Sequence, residues 1–176
     1  MKGSEVKKTL WFVGLSAWLL FWWVESPPLF SQMEFAIIGD AGARTEGSKL
    51  VRESIHNQKV NQLILPGDNL YHLTYKEVWD PWISIGMQFA MVAIGNHTTG
   101  YEAEKKFFAM PEEFYTKRFD ETRFIVLNSD NEDQISEQMR FLEKTLADTK
   151  APYVFLIYHH PSYHMRRKTS AFMPGI

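Results

Sequence analysis

The sequence predicts an α/β domain built on a mixed sheet flanked by helices, and three observations predict it. Short apolar runs recur along the chain, and each stops at an oxygen or nitrogen donor: Phe35-Ala36-Ile37-Ile38-Gly39-Asp40, Leu63-Ile64-Leu65-Pro66-Gly67-Asp68, Met91-Val92-Ala93-Ile94-Gly95-Asn96-His97 and Val154-Phe155-Leu156-Ile157-Tyr158-His159-His160. Runs of this length bounded by Gly or Pro read as buried strands feeding tight turns. Segments of helical periodicity lie between them, which is the rhythm of βαβ units and a parallel sheet. After Pro111 the period changes: residues 114–119 and 123–127 flank the polar Asp120-Glu121-Thr122, a hairpin that makes the sheet mixed.

Taken in order, the chain begins with Lys2, Lys7 and Lys8, followed by residues 10–24 without a charge, which carry four of the six tryptophans: Trp11, Trp18, Trp22 and Trp23. That stretch is shorter than the ~20 residues that span a bilayer, and it matches the apolar region of a secretory signal. Residues 1–31 are therefore expected to be a signal peptide, and the protein secreted or otherwise extracytoplasmic. Glu25-Ser26-Pro27-Pro28 and the residues after it contain no small-x-small cleavage site, so an uncleaved membrane anchor through 10–24 is the alternative. An amphipathic helix packed on the domain is the third reading. Residues 32–176 are assigned to one domain.

Within that domain a strand at 35–38 leads through a loop at 39–47 to a helix at 48–58, whose Leu50, Val51 and Ile55 form its apolar face. The strand ending in Leu65 follows. A second helix at 75–87, interrupted by Pro81, offers Val78, Trp79, Trp82, Ile83 and Met87 for burial. A strand at 90–94 precedes a short charged helix at 102–108. After the hairpin, Ser129-Asp130-Asn131-Glu132 fits a capping box that opens a helix with Ile135, Met139, Leu142 and Leu146 on one stripe. Lys150-Ala151-Pro152 ends it before the last strand.

Composition narrows the function. The chain has no cysteine, so thiolate metal sites, thiol nucleophiles and disulfides are excluded, and any metal must be held by oxygen and nitrogen. A net charge of -2, with Arg166-Arg167-Lys168 the only basic cluster, gives no footprint for nucleic acid. Each donor alone has an ordinary reading. Asp40 could be a turn residue or helix cap, Asp68-Asn69 an Asx turn, Asn96-His97 a polar turn, and His159-His160 a satisfied pair. Jointly they place one or more ligating groups beyond each of four strands. Carboxylate and carboxamide oxygens suit hard cations, imidazole suits transition metals, and a phenolate such as that of Tyr71 favours a trivalent ion. Two metals need a bridging carboxylate and separate terminal ligands, and the set offers both.

Gly39-Asp40, Gly67-Asp68-Asn69-Leu70-Tyr71, Gly95-Asn96-His97 and His159-His160-Pro161, in this order, resemble the calcineurin-like metallophosphoesterase superfamily. The Gly-Asp-Asn-x-Tyr form, with no histidine two residues after Asp40, is most similar to the purple, tartrate-resistant type of acid phosphatase. The resemblance implies the N-terminal part of an αββα sandwich and a binuclear centre that hydrolyses a small phosphorylated substrate, a phosphomonoester. By position it implies Asp68 as the carboxylate bridging both ions, Asp40 and Tyr71 on Fe(III), and Asn96 and His159 on a divalent Fe, Zn or Mn. His97 would orient the phosphate or protonate the leaving oxygen, and His160 and His164 would be possible substrate contacts.

The sequence departs from the family pattern in two places. Thr98 follows Asn96-His97 where the family usually has an acidic residue, and no Gly-His-x-His motif occurs, so two metal-binding histidines are missing. Residues 32–176 are accordingly expected to be a C-terminally truncated domain. The alternatives are a non-catalytic remnant that keeps the metal-facing motifs, and a phosphodiesterase or nucleotidase of the same superfamily.

Overall fold

The computed structural model describes residues 34–161, so the predicted leader, His164 and Arg166-Arg167-Lys168 lie outside the described residues. Three parallel strands, β1 (Phe35–Ile37), β2 (Gln62–Leu65) and β3 (Gln88–Val92), form a sheet in the order β1-β2-β3. Their crossovers carry helices α1 (Glu46–Asn57) and α2 (Tyr75–Ile83). A strand covered on both faces must be apolar throughout, and Leu63, Ile64, Leu65, Met91 and Val92 are all buried. Helix α3 (Tyr101–Phe108) leads to the hairpin of β4 (Tyr115–Phe119) and β5 (Thr122–Val126), whose register closes at Phe119 and Thr122. Helix α4 (Ile135–Asp148) then returns the chain to β6 (Tyr153–Ile157), parallel to β5.

The architecture is thus mixed α/β, with the strands divided between two three-stranded sheets flanked by helices. Side chains from both sheets share one core. Phe35 of β1 meets Phe124 of β5 edge-on at 5.6 Å, and Phe124 stacks on Phe155 of β6 at 5.3 Å. Among the described residues, side chains rather than a further strand close the β3 edge. The Tyr115 phenol accepts from the Val92 N–H at 3.0 Å and donates to the Val92 carbonyl at 3.1 Å, while the Lys117 ammonium donates to the Ala90 carbonyl at 3.2 Å. Open backbone groups on a strand edge need such partners when they are buried.

Several predicted boundaries move for local reasons. Helix α1 starts two residues early because Thr45 and Ser48 cap each other, the Thr45 hydroxyl accepting from Ser48 N–H at 3.0 Å and the Ser48 hydroxyl from Thr45 N–H at 2.9 Å. Leu50 and Val51 are exposed, and of the predicted apolar face only Ile55 packs against the core. Helix α2 begins in a Thr74/Glu77 capping box and ends two residues after Pro81. Gly86, at φ +85, turns the chain there, and Met87 reaches the core from that turn while Ile83 stays exposed.

The predicted capping box at 129–132 does not form. A 3-10 turn, Glu132–Gln134, precedes α4, which begins without a side-chain cap, and the Ser129 hydroxyl is used elsewhere. On α4, Ile135, Met139 and Leu142 pack inward, whereas Leu146 is exposed near its last turn.

Candidate metal centre

Two loops beyond the first sheet are zipped together by main-chain bonds. Asp40 N–H donates to the Gly67 carbonyl at 3.3 Å, Gly42 N–H to the Asp68 carbonyl at 3.0 Å, and Tyr71 N–H to the Gly42 carbonyl at 3.0 Å. Both aspartates sit in the left-handed region, Asp40 at φ 53 and Asp68 at φ 55. Such a conformation costs an L-residue roughly 1–3 kcal/mol and persists where its surroundings over-determine it. The strain turns both carboxylates off the strand ends toward one point.

Side-chain distances define that point. The Tyr71 hydroxyl lies 3.1 Å from Asp40 Oδ1 and 3.0 Å from Asp68 Oδ2, so its single proton is shared between two carboxylates. Asp68 Oδ1 accepts from the His97 main-chain N–H at 3.0 Å and lies 3.2 Å from His159 Nε2. His159 Nε2 is also 3.2 Å from Asn96 Oδ1. The ligating atoms of Asp40, Asp68 and His159 all fall within 4.8 Å of one another. Asp40, Asp68, Tyr71, Asn96 and His159 therefore meet in one cluster.

The donor chemistry of this cluster fits a cation. His159 Nδ1 is 3.2 Å from the Pro66 carbonyl, which can only accept, so Nδ1 carries the hydrogen. The ring's other nitrogen, Nε2, faces two oxygens, Asp68 Oδ1 and Asn96 Oδ1, at 3.2 Å each. A positive ion could take one donor atom from each of the three, and a backbone carbonyl on the far nitrogen is the usual way a ligating histidine is oriented. Among the described residues no Lys or Arg pairs with Asp40 or Asp68. The Tyr71 phenol is held well above its ordinary range, first by burial and then by its bonds to and the charges of Asp68 and Asp40.

The remaining predicted residues divide. His97 keeps its imidazole on the open side, with Nε2 at 4.0 Å from Asp68 Oδ2 and its ring centroid 4.6 Å from that of Tyr71. His160 turns its Nδ1 to the Ser129 carbonyl at 3.2 Å, away from the shared point. Ser129, predicted to cap a helix, holds the histidines instead: its hydroxyl accepts from His159 N–H at 3.2 Å and from His160 N–H at 2.8 Å. Nothing local in Ser129-Asp130-Asn131-Glu132 marks this role, because the bonded groups come from the bend after β6, 30 and 31 residues away. Ser129→Ala orphans both N–H groups and frees His159 to turn. Loss of such an outer partner is expected to weaken Zn²⁺ affinity roughly 10–100-fold, read by competition with a colorimetric chelator, while Ser129→Thr keeps it.

No family model matches the sequence. Two curated relatives do: purple acid phosphatase 22 of Arabidopsis thaliana, 30% identical over 166 residues, covering 80% of this chain and 38% of that protein, and probable purple acid phosphatase 20 of the same plant, 29% identical over 165 residues, covering 79% of this chain and 38% of that protein. Among solved structures, purple acid phosphatase PPD1 from yellow lupin (Lupinus luteus) seeds superposes with a TM-score of 0.53 at 21% identity, covering 71% of this chain and 30% of that chain. The fold is therefore that of a purple acid phosphatase, and the chain spans 38% of the length of the curated relatives it matches.

Proposed function

We propose, from the premise that this chain is a relative of the purple acid phosphatases, that its strand-end cluster binds two metal ions and hydrolyses phosphomonoesters. The observation that supports this most is the convergence on one point of a phenol, two carboxylates, a carboxamide and an imidazole Nε2, with no competing Lys or Arg among the described residues. Asp68 turns one oxygen to each side, Oδ2 toward Tyr71 and Asp40 and Oδ1 toward His159 and Asn96, which suits a bridging role. Tyr71 and Asp40 would hold the ferric ion, and Asn96 and His159 a divalent Fe, Zn or Mn. Such ions supply positive charge at the phosphoryl oxygens and acidify a water. His97, on the open side beside Asp68, is placed to give a proton to the departing oxygen or to steady the phosphate.

The reading is tested by hydrolysis of p-nitrophenyl phosphate by the full chain supplied with Fe and Zn or with Fe and Mn. Turnover that disappears in His97→Ala and in Asp40→Asn supports it. Ion uptake without turnover would make the chain a metal-binding remnant instead.

A second readout is independent of activity. The raised Tyr71 phenol stays protonated across the neutral range, so it must lose its proton before it can donate to a cation. Ferric-ion affinity is therefore expected to rise with pH, and binding to release acid in weakly buffered solution. Tyr71→Phe should release one proton fewer.

A further inference from the structure

We propose that Glu104, on α3, is a positioning residue for the metal centre, acting through Asn69 to hold Asp68 in its left-handed conformation; the inference rests on the metal-binding reading given above. Glu104 is fully buried, and it and Asp68 are the two buried carboxylates among the described residues. It makes none of the ion pairs found among them. A carboxylate without a cation partner is costly in a core, so the position needs a reason other than stability.

Its contacts supply one. Glu104 Oε1 accepts from Asn69 Nδ2 at 2.6 Å, and the same Nδ2 donates to the Ala93 carbonyl at 2.8 Å. The Asn69 carbonyl accepts from Trp79 Nε1 at 2.8 Å. Asn69 is thus fastened to α2, to α3 and to the residue that follows β3, which holds Asp68, one residue before it, at its φ of 55. Tyr75 completes the arrangement: its hydroxyl donates to Glu104 Oε2 at 3.3 Å and lies 3.2 Å from Thr98 Oγ1. Thr98 follows Asn96 and His97, so one buried carboxylate ties the loop of Asp68 to the loop that carries Asn96.

Two substitutions separate positioning from support of the fold. Glu104→Gln keeps the Oε1 acceptor for Asn69, and its new N–H₂ faces two hydroxyls that can accept. Glu104→Met keeps the volume, removes the acceptor, and no longer requires a polar carboxyl group to be buried. The experiment measures Zn²⁺ dissociation constants by chelator competition, and thermal unfolding without metal, on the full chain. The expected result is Glu104→Met unfolding at or above the wild-type temperature yet binding Zn²⁺ roughly 10–100-fold more weakly, with Glu104→Gln within about threefold of wild type.

Wild-type affinity in Glu104→Met overturns the inference and leaves the metal centre standing. Equal losses in both variants also overturn it, because charge rather than the acceptor would then be what matters. If Glu104→Met does not fold, Glu104→Gln together with Asn69→Leu, which removes the donor from the other side, decides: affinity kept in the first and lost in the second supports positioning, and any other pairing overturns it. A wild-type chain that takes up no Zn²⁺ overturns the metal-binding reading and this inference with it.

Discussion

Asp68→Asn is expected to abolish metal binding and phosphomonoester hydrolysis while leaving the unfolding temperature of the metal-free chain unchanged or higher. Asp68 is buried and offers an oxygen to each half of the cluster, Oδ1 to His159 and the His97 N–H, Oδ2 to Tyr71. An asparagine of the same shape keeps one acceptor for the His97 N–H. Its amide hydrogens, at the Oδ2 position, face the Tyr71 hydroxyl, which can turn to accept. The metal-free network is therefore rebuilt and loses a buried charge, so each kcal/mol gained raises the midpoint by about 2–4 °C. Metal binding has no such remedy, because the side that needs a second anionic oxygen receives a donor. The loss should far exceed the roughly 10–100-fold typical of an outer partner. Zn²⁺ competition beside a thermal melt without metal reads both effects, and retained affinity would show that Asp68 is not a ligand.

How much of this was legible in the sequence depends on how far apart in the chain each cause lies. The four strands with their donors, the hairpin and the stripe Ile135-Met139-Leu142 are local patterns, and they were read with boundaries off by a few residues. Asp40, Asp68, Tyr71, Asn96 and His159 were nameable because every run ends in a donor at the strand's C-terminal edge. Their mutual distances were not, since those depend on the bonds between the 40–42 and 67–71 loops and on the left-handed turns at both aspartates. The division into two sheets was invisible because it rests on Tyr115 and Lys117 capping the β3 edge, contacts 23 and 27 residues long. Glu104 looked like one more charge on a short helix; only packing puts it in the core. Ser129 defeats a local reading because a serine ahead of a helix is usually its cap, and the competing donors come from the residues that follow the last strand.

The same loop packing leaves no room for a side chain at several glycines, Gly95 among them. Gly95→Ala is expected to destabilise the chain by about 3 kcal/mol, near the top of the usual range for overpacking. At 2–4 °C per kcal/mol that is a fall of ~6–12 °C, with metal affinity reduced by roughly the 10–100-fold of a lost outer partner. Gly95 has no positive φ, so an alanine suits its backbone; the obstacle is what its Cβ meets. A Cβ there overlaps the Asp68 nitrogen and lies 2.5 Å from Asp68 Oδ1 and 3.1 Å from Asp68 Cα. None of these can yield cheaply, because the Asp68 carbonyl is bonded to Gly42 N–H and the following residue to Ala93, Trp79 and Glu104. Either the 67–71 loop moves as a unit, dragging Tyr71 off Asp40, or the 95–97 loop retreats and takes Asn96 from His159. Gly39→Ala is the control: nothing lies within 4 Å of its Cβ, so it should cost little although it adjoins Asp40. If both substitutions melt and bind alike, the close approach of the two loops is not what holds Asp68 in place.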